Sequence, residues 1–231
     1  MTAHTREIEF KFAVDDPQAF RRLLAQLDLT AALLDQGVIQ TNHFFDSHDL
    51  CLCRNHFAIR LREQGDKNIL TIKGEQSSAH HGNSVLSNRV EEQVGLPQHT
   101  ARALLDGSIT PRYVIETYFA ERATALLRLI TSACGDRTLV HIGQFQNERI
   151  HVPPITLDLG DNSTIVEFEL DTSTFPDGRV DYELEIEISE HSDAELIEDA
   201  LIRLLQQAGI EWHSAPSKAK RFFSALARNP A

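Results

Sequence analysis

Two stretches near opposite ends of this chain alternate charged and apolar residues with period two: EIEFKF (7–12) and YELEIEI (182–188). Successive side chains of an extended strand point to opposite faces. The first stretch therefore sets Glu7, Glu9 and Lys11 against Ile8, Phe10 and Phe12. The second sets Glu183, Glu185 and Glu187 against Leu184, Ile186 and Ile188. The pattern recurs between them. AIRLR groups Arg60 and Arg62 against Ile59 and Leu61, and LTIK sets Lys73 opposite Ile72. RVEEQV aligns Arg89 with Glu91, FQNER aligns Asn147 with Arg149, and EFELD groups Glu167, Glu169 and Asp171 against Phe168 and Leu170.

One such strand is an ordinary half-buried strand, its charges in water. A whole set with mixed sign constrains the fold further. The apolar faces call for helices, and the charged faces then share the other side of the sheet. Small barrels usually fill with apolar side chains, so a closed sheet lined by Glu, Arg and Lys suggests a charged ligand in a polar lumen. Arg and Lys match phosphate oxygens, Arg bidentately and Lys as a point charge. Carboxylates repel phosphate but hold hard divalent cations such as Mg²⁺ or Mn²⁺ through oxygen. A polyphosphate held by basic side chains and by metal ions would use both sets. Without ligand, the opposite charges can pair with one another.

Elsewhere the spacing of Phe20, Leu23, Leu24 and Leu27 predicts a helix over 17–29, with Pro17 in its first turn. Strand patterns follow in QTNHFFDS, HFAIRLRE, NILTIKGE and SNRVEEQV, the last two separated by the polar EQSSAHHGNSVLSN, read as a mobile loop carrying His80 and His81. Residues 97–133 read as two or three helices broken at Gly107 to Pro111. Strands resume with GQFQNERIHV, ITLDLG, TIVEFELD and DYELEIEI, then a helix over 193–207 and a tail, SAPSKAKRFFSALA. No repeat or Pro/Gly-rich linker divides the chain. One α+β domain over residues 1–231 is expected, with a largely antiparallel sheet and helices outside it.

Composition narrows the function. A net charge of −12 argues against non-specific nucleic-acid binding. No stretch approaches the roughly 20 apolar residues that span a bilayer, and MTAHTREIEF lacks the apolar run of a signal peptide. Cys51, Cys53 and Cys134 are too few, and odd in number, for a secreted disulfide framework. A soluble cytoplasmic protein with reduced thiols is expected. The CxC at Cys51 and Cys53, flanked by His43, His48 and His56, lacks a second pair at zinc spacing, so packing or turn roles are expected there. No GxGxxG, P-loop or GxSxG motif occurs.

The ordered series EIEFK, FFDS, AIRLR, LTIK, NRVEE, FQNER, ELD, YELEIE and SAPSK, running from Glu7 to Lys218, resembles the CYTH superfamily, the triphosphate tunnel metalloenzymes, whose signature is ExExK. The resemblance implies an eight-stranded antiparallel barrel, open at both ends, with a triphosphate in its lumen. By position, Lys11, Arg60, Arg62, Lys73, Arg89 and Arg149 resemble the phosphate cradle, and Lys218, in a tail folding over one mouth, a further phosphate ligand. Glu7, Glu9, Glu183 and Glu185 resemble metal ligands. Asp171 joins them, Glu169 supports them, and Glu91 matches an acid among the basic residues. The role of Glu167 and Glu187 stays open.

Metal-assisted phosphoryl transfer is the implied chemistry, with Glu7, Glu9, Lys11, Lys73, Arg149 and Glu185 carrying it and Mg²⁺ or Mn²⁺ as cofactor. The favoured activity is hydrolysis of inorganic triphosphate to diphosphate and phosphate. Alternatives are a class IV adenylyl cyclase, a nucleoside or thiamine triphosphatase, and a polyphosphate-binding module without turnover. Thiamine triphosphatases of mammals carry YYDT where this chain has FFDS, and a tryptophan where it has Ala58. The expected partner is a small triphosphate, with neither nucleic acid nor membrane, and the expected state is a monomer or homodimer.

Overall fold

A computed structural model describes residues 5–74, 86–188, 192–214 and 216–228, and for 5–8 and 86–91 it describes the backbone alone. The chain begins with strand β1 (Thr5–Val14), helix α1 (Ala19–Gln26) and a 3₁₀ turn (Ala31–Gln36). There follow β2 (Val38–Asp46), α2 (Cys51–Arg54), β3 (Phe57–Gln64), β4 (Lys67–Gly74) and β5 (Leu86–Leu96). Three helices come next, α3 (Gln98–Leu105), α4 (Pro111–Tyr118) and α5 (Ala123–Cys134), broken where Gly107 takes a φ of 80° and Pro111 opens α4 under a Thr110 cap. The second half holds β6 (Val140–His151), β7 (Ile155–Asp158), β8 (Ser163–Val166), β9 (Phe168–Thr174), β10 (Val180–Ile188), α6 (Ala194–Gln207) and α7 (Lys218–Arg228).

Eight strands form one antiparallel sheet in the order β1-β10-β9-β6-β2-β3-β4-β5. Strand β1 pairs with β10 on one side and with β5 on the other, so the order returns to its start as a closed barrel. Closure removes both sheet edges. Period two then decides what lies inside. Phe10, Phe12, Phe168, Leu170, Leu184 and Ile186 point outward into a core completed by α1 and α6. Ile59, Leu61, Leu70 and Ile72 point outward into a second core with α2 to α5. The charged residues between them are left facing the lumen.

Four sequence expectations change. TIVEFELD is not one strand: β8 ends at Val166 and pairs only with β7 in a separate two-stranded sheet, and barrel strand β9 begins at Phe168. Glu167 sits at the break and is exposed, outside the lumen set. The tail is a helix, α7, because Phe222, Phe223 and Ala225 form an apolar stripe at helical spacing.

That stripe also fills one end of the lumen, which the resemblance left open. Phe222 and Phe223 pack with Phe44, Phe145 and Phe175, which lie on the inner faces of β2 and β6 and just beyond β9. Gly143 admits the helix: a Cβ there would lie 3.3 Å from both Phe222 and Leu226.

The fourth change concerns the thiols. Cys51 and Cys134 form a disulfide across 83 residues of sequence, leaving Cys53 as the free cysteine. Sequence spacing hid the pair because only the docking of α5 on α2 brings them together. Nearby, the buried carboxylate of Asp46, the Asp of FFDS, accepts from the backbone N–H groups of Leu52 and Cys53 and so caps α2. Residues 75–85, with His80 and His81 and most of the expected loop, lie outside the described residues. No helix among the described residues is long and apolar enough to cross a membrane.

Candidate functional site

The strand order gathers the described carboxylates of the lumen on one side of the barrel. Strands β1, β10, β9 and β6 are contiguous and bring in Glu9, Lys11, Glu183, Glu185, Glu169, Asp171 and Arg149. Strands β3 and β4 lie across the barrel and bring in Arg60, Arg62 and Lys73. In the order of eight, β3 stands opposite β10 and β4 opposite β9. The lumen therefore has an acid-rich wall, with its own cations, facing a basic wall.

The acid-rich wall is tightly cross-linked. Lys11 Nζ lies 2.8 Å from Glu9 Oε1 and 2.7 Å from Glu185 Oε1. Lys218, at the start of α7, reaches Glu183 and Glu185 at 2.6 Å and Asp171 at 2.9 Å. Arg149 donates to both oxygens of Asp171, at 2.8 and 2.5 Å, and to Glu185 Oε2 at 2.6 Å, and it also pairs with Glu169. Asn147 donates to Asp171 and accepts from Ser173, which fixes the Asp171 carboxylate from behind.

Burial and these contacts set the protonation states. Burial alone would lower the Lys11 and Lys218 ammoniums; the surrounding carboxylates reverse this and hold both above their ordinary value. Arg149 is raised in the same way by Asp171 and Glu185. Burial would raise Glu185 and Asp171, but Lys11, Lys218 and Arg149 hold Glu185 well below the usual carboxylate range, and Lys218 and Arg149 hold Asp171 below it. Glu169 behaves oppositely. Burial outweighs Arg149 and pushes it up to about 7, with Asp171 and Glu185 adding repulsion.

On the acid-rich wall, Glu183 Oε1 accepts no hydrogen bond among the described residues, although Glu183 is 1% exposed. On the basic wall, Arg60 Nε is likewise buried without a hydrogen-bond acceptor. A cation beside the acids and an anion beside the guanidiniums would satisfy them. The donor set of Glu9, Asp171, Glu183 and Glu185 is all oxygen, which suits Mg²⁺ or Mn²⁺.

Of the expected site residues, the structure brings together Glu9, Lys11, Arg149, Glu169, Asp171, Glu183, Glu185 and Lys218. It places Arg60, Arg62 and Lys73 on the facing wall. The backbone sets Glu7 opposite Arg89, and Glu91 opposite Lys73, in the β1–β5 and β4–β5 ladders; the side chains of Glu7, Arg89 and Glu91 lie outside the described residues. Glu187 pairs in register with Glu9 and is exposed at the strand end.

Sequence reasoning missed Arg221. It is buried on α7, donates to Asp181 and Glu183 at 2.7 Å each, and lies over the Phe175 ring. Its signal was its spacing: three residues after Lys218, on the same face of a helix as that lysine.

Comparison with known proteins fits this architecture. The profile of the CYTH domain matches residues 5–223. The chain belongs to the CYTH family. No curated protein matches it. Among solved structures, this CYTH chain is similar to HpAC1 from Hippeastrum, with TM-score 0.72 and 21% identity, over 94% of this chain and 95% of that one. A Bacillus halodurans protein provisionally assigned as an adenylate cyclase gives TM-score 0.65 and 23% identity, over 94% and 98%. At these identities the likeness is one of fold.

Proposed function

We propose that this CYTH protein is a metal-dependent hydrolase of triphosphates, with inorganic triphosphate as its substrate. The observation that carries the reading is the lumen itself, in which oxygen ligands for a divalent cation face a wall of Arg60, Arg62 and Lys73 across one barrel. A polyphosphate is the ligand that uses both walls at once. Hippeastrum HpAC1, a candidate adenylyl cyclase, has a dominant triphosphatase activity, which supports the same choice.

Glu9, Glu183 and Glu185, with Asp171, would hold the metal, and Glu7, two residues before Glu9 on the same strand, would join them. A bound divalent cation would supply charge neutralisation and Lewis acidity toward the phosphoryl group and its attacking water. The chain's own residues do the rest. Arg60, Arg62, Lys73 and Arg149 would bind phosphate oxygens and orient the terminal phosphorus for in-line attack. Lys11 and Lys218, kept protonated by their carboxylates, would stabilise charge as it moves onto the diphosphate leaving group. Substrate oxygens would replace the carboxylates now paired with these cations, so binding and release of the internal ion pairs are one event.

An organic substituent finds little to recognise. Phe44 and Phe45 stand where the resemblance puts the tyrosines of mammalian thiamine triphosphatases, and Ala58 where it puts the tryptophan that would stack on thiamine. Phe44 is buried in the aromatic plug, with Ala58 packed beside it. The family's cyclase activity stands as the second reading, favoured by the provisional assignment of the Bacillus neighbour. One assay separates them: tripolyphosphate, ATP and thiamine triphosphate with Mg²⁺ or Mn²⁺, following phosphate, diphosphate and cyclic AMP. Phosphate release fastest from tripolyphosphate is expected. Cyclic AMP without phosphate would overturn the reading, and retained ligand without turnover would leave a binding module.

A further inference from the structure

A second cluster of titratable groups lies on the outside of the barrel, away from the lumen. His43 on β2 stands between Glu63 on β3 and His141 on β6, the three strands being neighbours in the sheet. Its Nε2 lies 2.8 Å from Glu63 Oε2 and its Nδ1 lies 3.2 Å from His141 Nε2. The register shift between Phe44 and Phe45 brings His141 alongside: His43 pairs with Gln144, but Phe45 already pairs with His141.

We propose that His43 and His141 form a two-imidazole site for Zn²⁺, with Glu63 as the carboxylate that orients the first ligand. Three features carry this. The Glu63 contact assigns the tautomer of His43, whose Nε2–H donates to the carboxylate and whose Nδ1 keeps its lone pair toward His141. A carboxylate behind a ligating histidine is the usual companion of zinc. The distance fits as well. Two nitrogens each about 2.0–2.1 Å from a tetrahedral zinc stand about 3.3–3.4 Å apart, against 3.2 Å here.

Accessibility completes the site. His43 is 5% exposed and fixed on both sides, whereas His141 is exposed, so water can fill the remaining coordination positions. Burial and the proximity of His43 lower His141, which favours the neutral ring that a metal requires. Ligation asks that the His141 proton sit on Nδ1, and a hydrogen bond from the ring to the Gly143 backbone, which opposes the lowering, is compatible with that tautomer. The imidazole pair suits a borderline ion, as the lumen carboxylates suit a hard one, and the site does not rest on the triphosphatase reading.

The full chain, with excess Mg²⁺ present to occupy the lumen carboxylates, is titrated with Zn²⁺ by calorimetry and by ¹⁵N NMR of the histidine rings. One equivalent is expected to bind, shifting Nδ1 of His43 and Nε2 of His141. His141→Ala, at an exposed position, should abolish that event without changing the far-UV spectrum, and His43→Ala should do the same. Glu63→Gln should weaken it about 10- to 100-fold. Zinc affinity unchanged in His141→Ala, or saturation that leaves both ring nitrogens unshifted, would overturn the proposal.

Discussion

Lys218, the first residue of α7, donates to Oε1 of Glu185 on β10 at 2.6 Å, and Lys11 donates to that same oxygen at 2.7 Å. One carboxylate oxygen thus serves two ammonium groups, one from the barrel and one from the terminal helix. Both are held protonated, and the carboxylate is held ionised, by the same mutual contact. The helix is therefore attached to the lumen by charge on one side of Arg221 and by the phenylalanine plug on the other.

Replacing Lys218 by alanine removes a cation from the lumen and leaves α7 anchored by Arg221, Phe222 and Phe223. A charged hydrogen bond contributes about 1.5–3 kcal/mol, so kcat/KM for tripolyphosphate should fall roughly 10- to 100-fold. The helix should remain folded by circular dichroism. Unaltered kcat/KM would remove Lys218 from the substrate contacts.

Glu9→Gln and Glu185→Gln each keep the shape of the side chain and remove its charge. Both should abolish metal-dependent turnover with the far-UV spectrum of the fold retained, and Glu185→Gln, which strands Lys11, Lys218 and Arg149, should also lower the unfolding midpoint. Turnover near normal in both variants would show that the acids of the lumen do not hold the metal.

Arg221 acts through Glu183 and is a positioning residue. Truncating one partner of a buried ion pair costs about 3–5 kcal/mol, because it strands the other charge. Arg221→Leu should lower unfolding free energy by that order in urea and raise the metal concentration needed for half-maximal activity. Arg221→Lys should recover part of the metal response. A merely structural role would lower stability with no change in metal dependence.

Much of this site was legible in the sequence because period two is local: the charged faces of β1, β3, β4, β9 and β10 follow from alternation alone. The lumen positions of Asp171 and Glu185 needed only the ladder to close. What alternation could not give was any contact made by a helix or across long separation. Arg221 and the phenylalanine plug depend on how α7 docks, Cys51 with Cys134 depends on α5 crossing α2, and the break at Glu167 depends on β8 leaving the barrel for β7. Each is a tertiary event that residue spacing does not encode.

The pH dependence of stability should carry the signature of Glu169. Its folded value, about 7, lies above the ordinary 4.5. The native state therefore holds the proton more tightly, and between about pH 4.5 and 7 the unfolded state releases it first, so Glu169 makes stability fall as pH rises. Asp171 and Glu185 have the opposite sign: depressed in the fold, they stabilise above the ordinary carboxylate range and lose that effect as pH falls through it. In urea melts, the midpoint of Glu169→Gln minus that of the parent should be more positive at pH 8 than at pH 5.5. A difference independent of pH would show that Glu169 titrates normally.

The disulfide makes the last prediction, and it bears on where such a chain can operate. Cys51 and Cys134 close a loop across 83 residues, and a disulfide typically stabilises a fold by about 2–4 kcal/mol, in the chain-entropy account by restricting the unfolded chain. Thiol counting on unreduced, denatured protein should find one reactive group, Cys53, whose thiol burial pushes up and makes slow to react in the native state. Cys51→Ser with Cys134→Ser should lower the urea midpoint without altering the tripolyphosphate KM, because both residues lie in the outer core and neither faces the lumen. Three reactive thiols in the denatured, unreduced protein would return the chain to the reduced state its cysteine content first suggested.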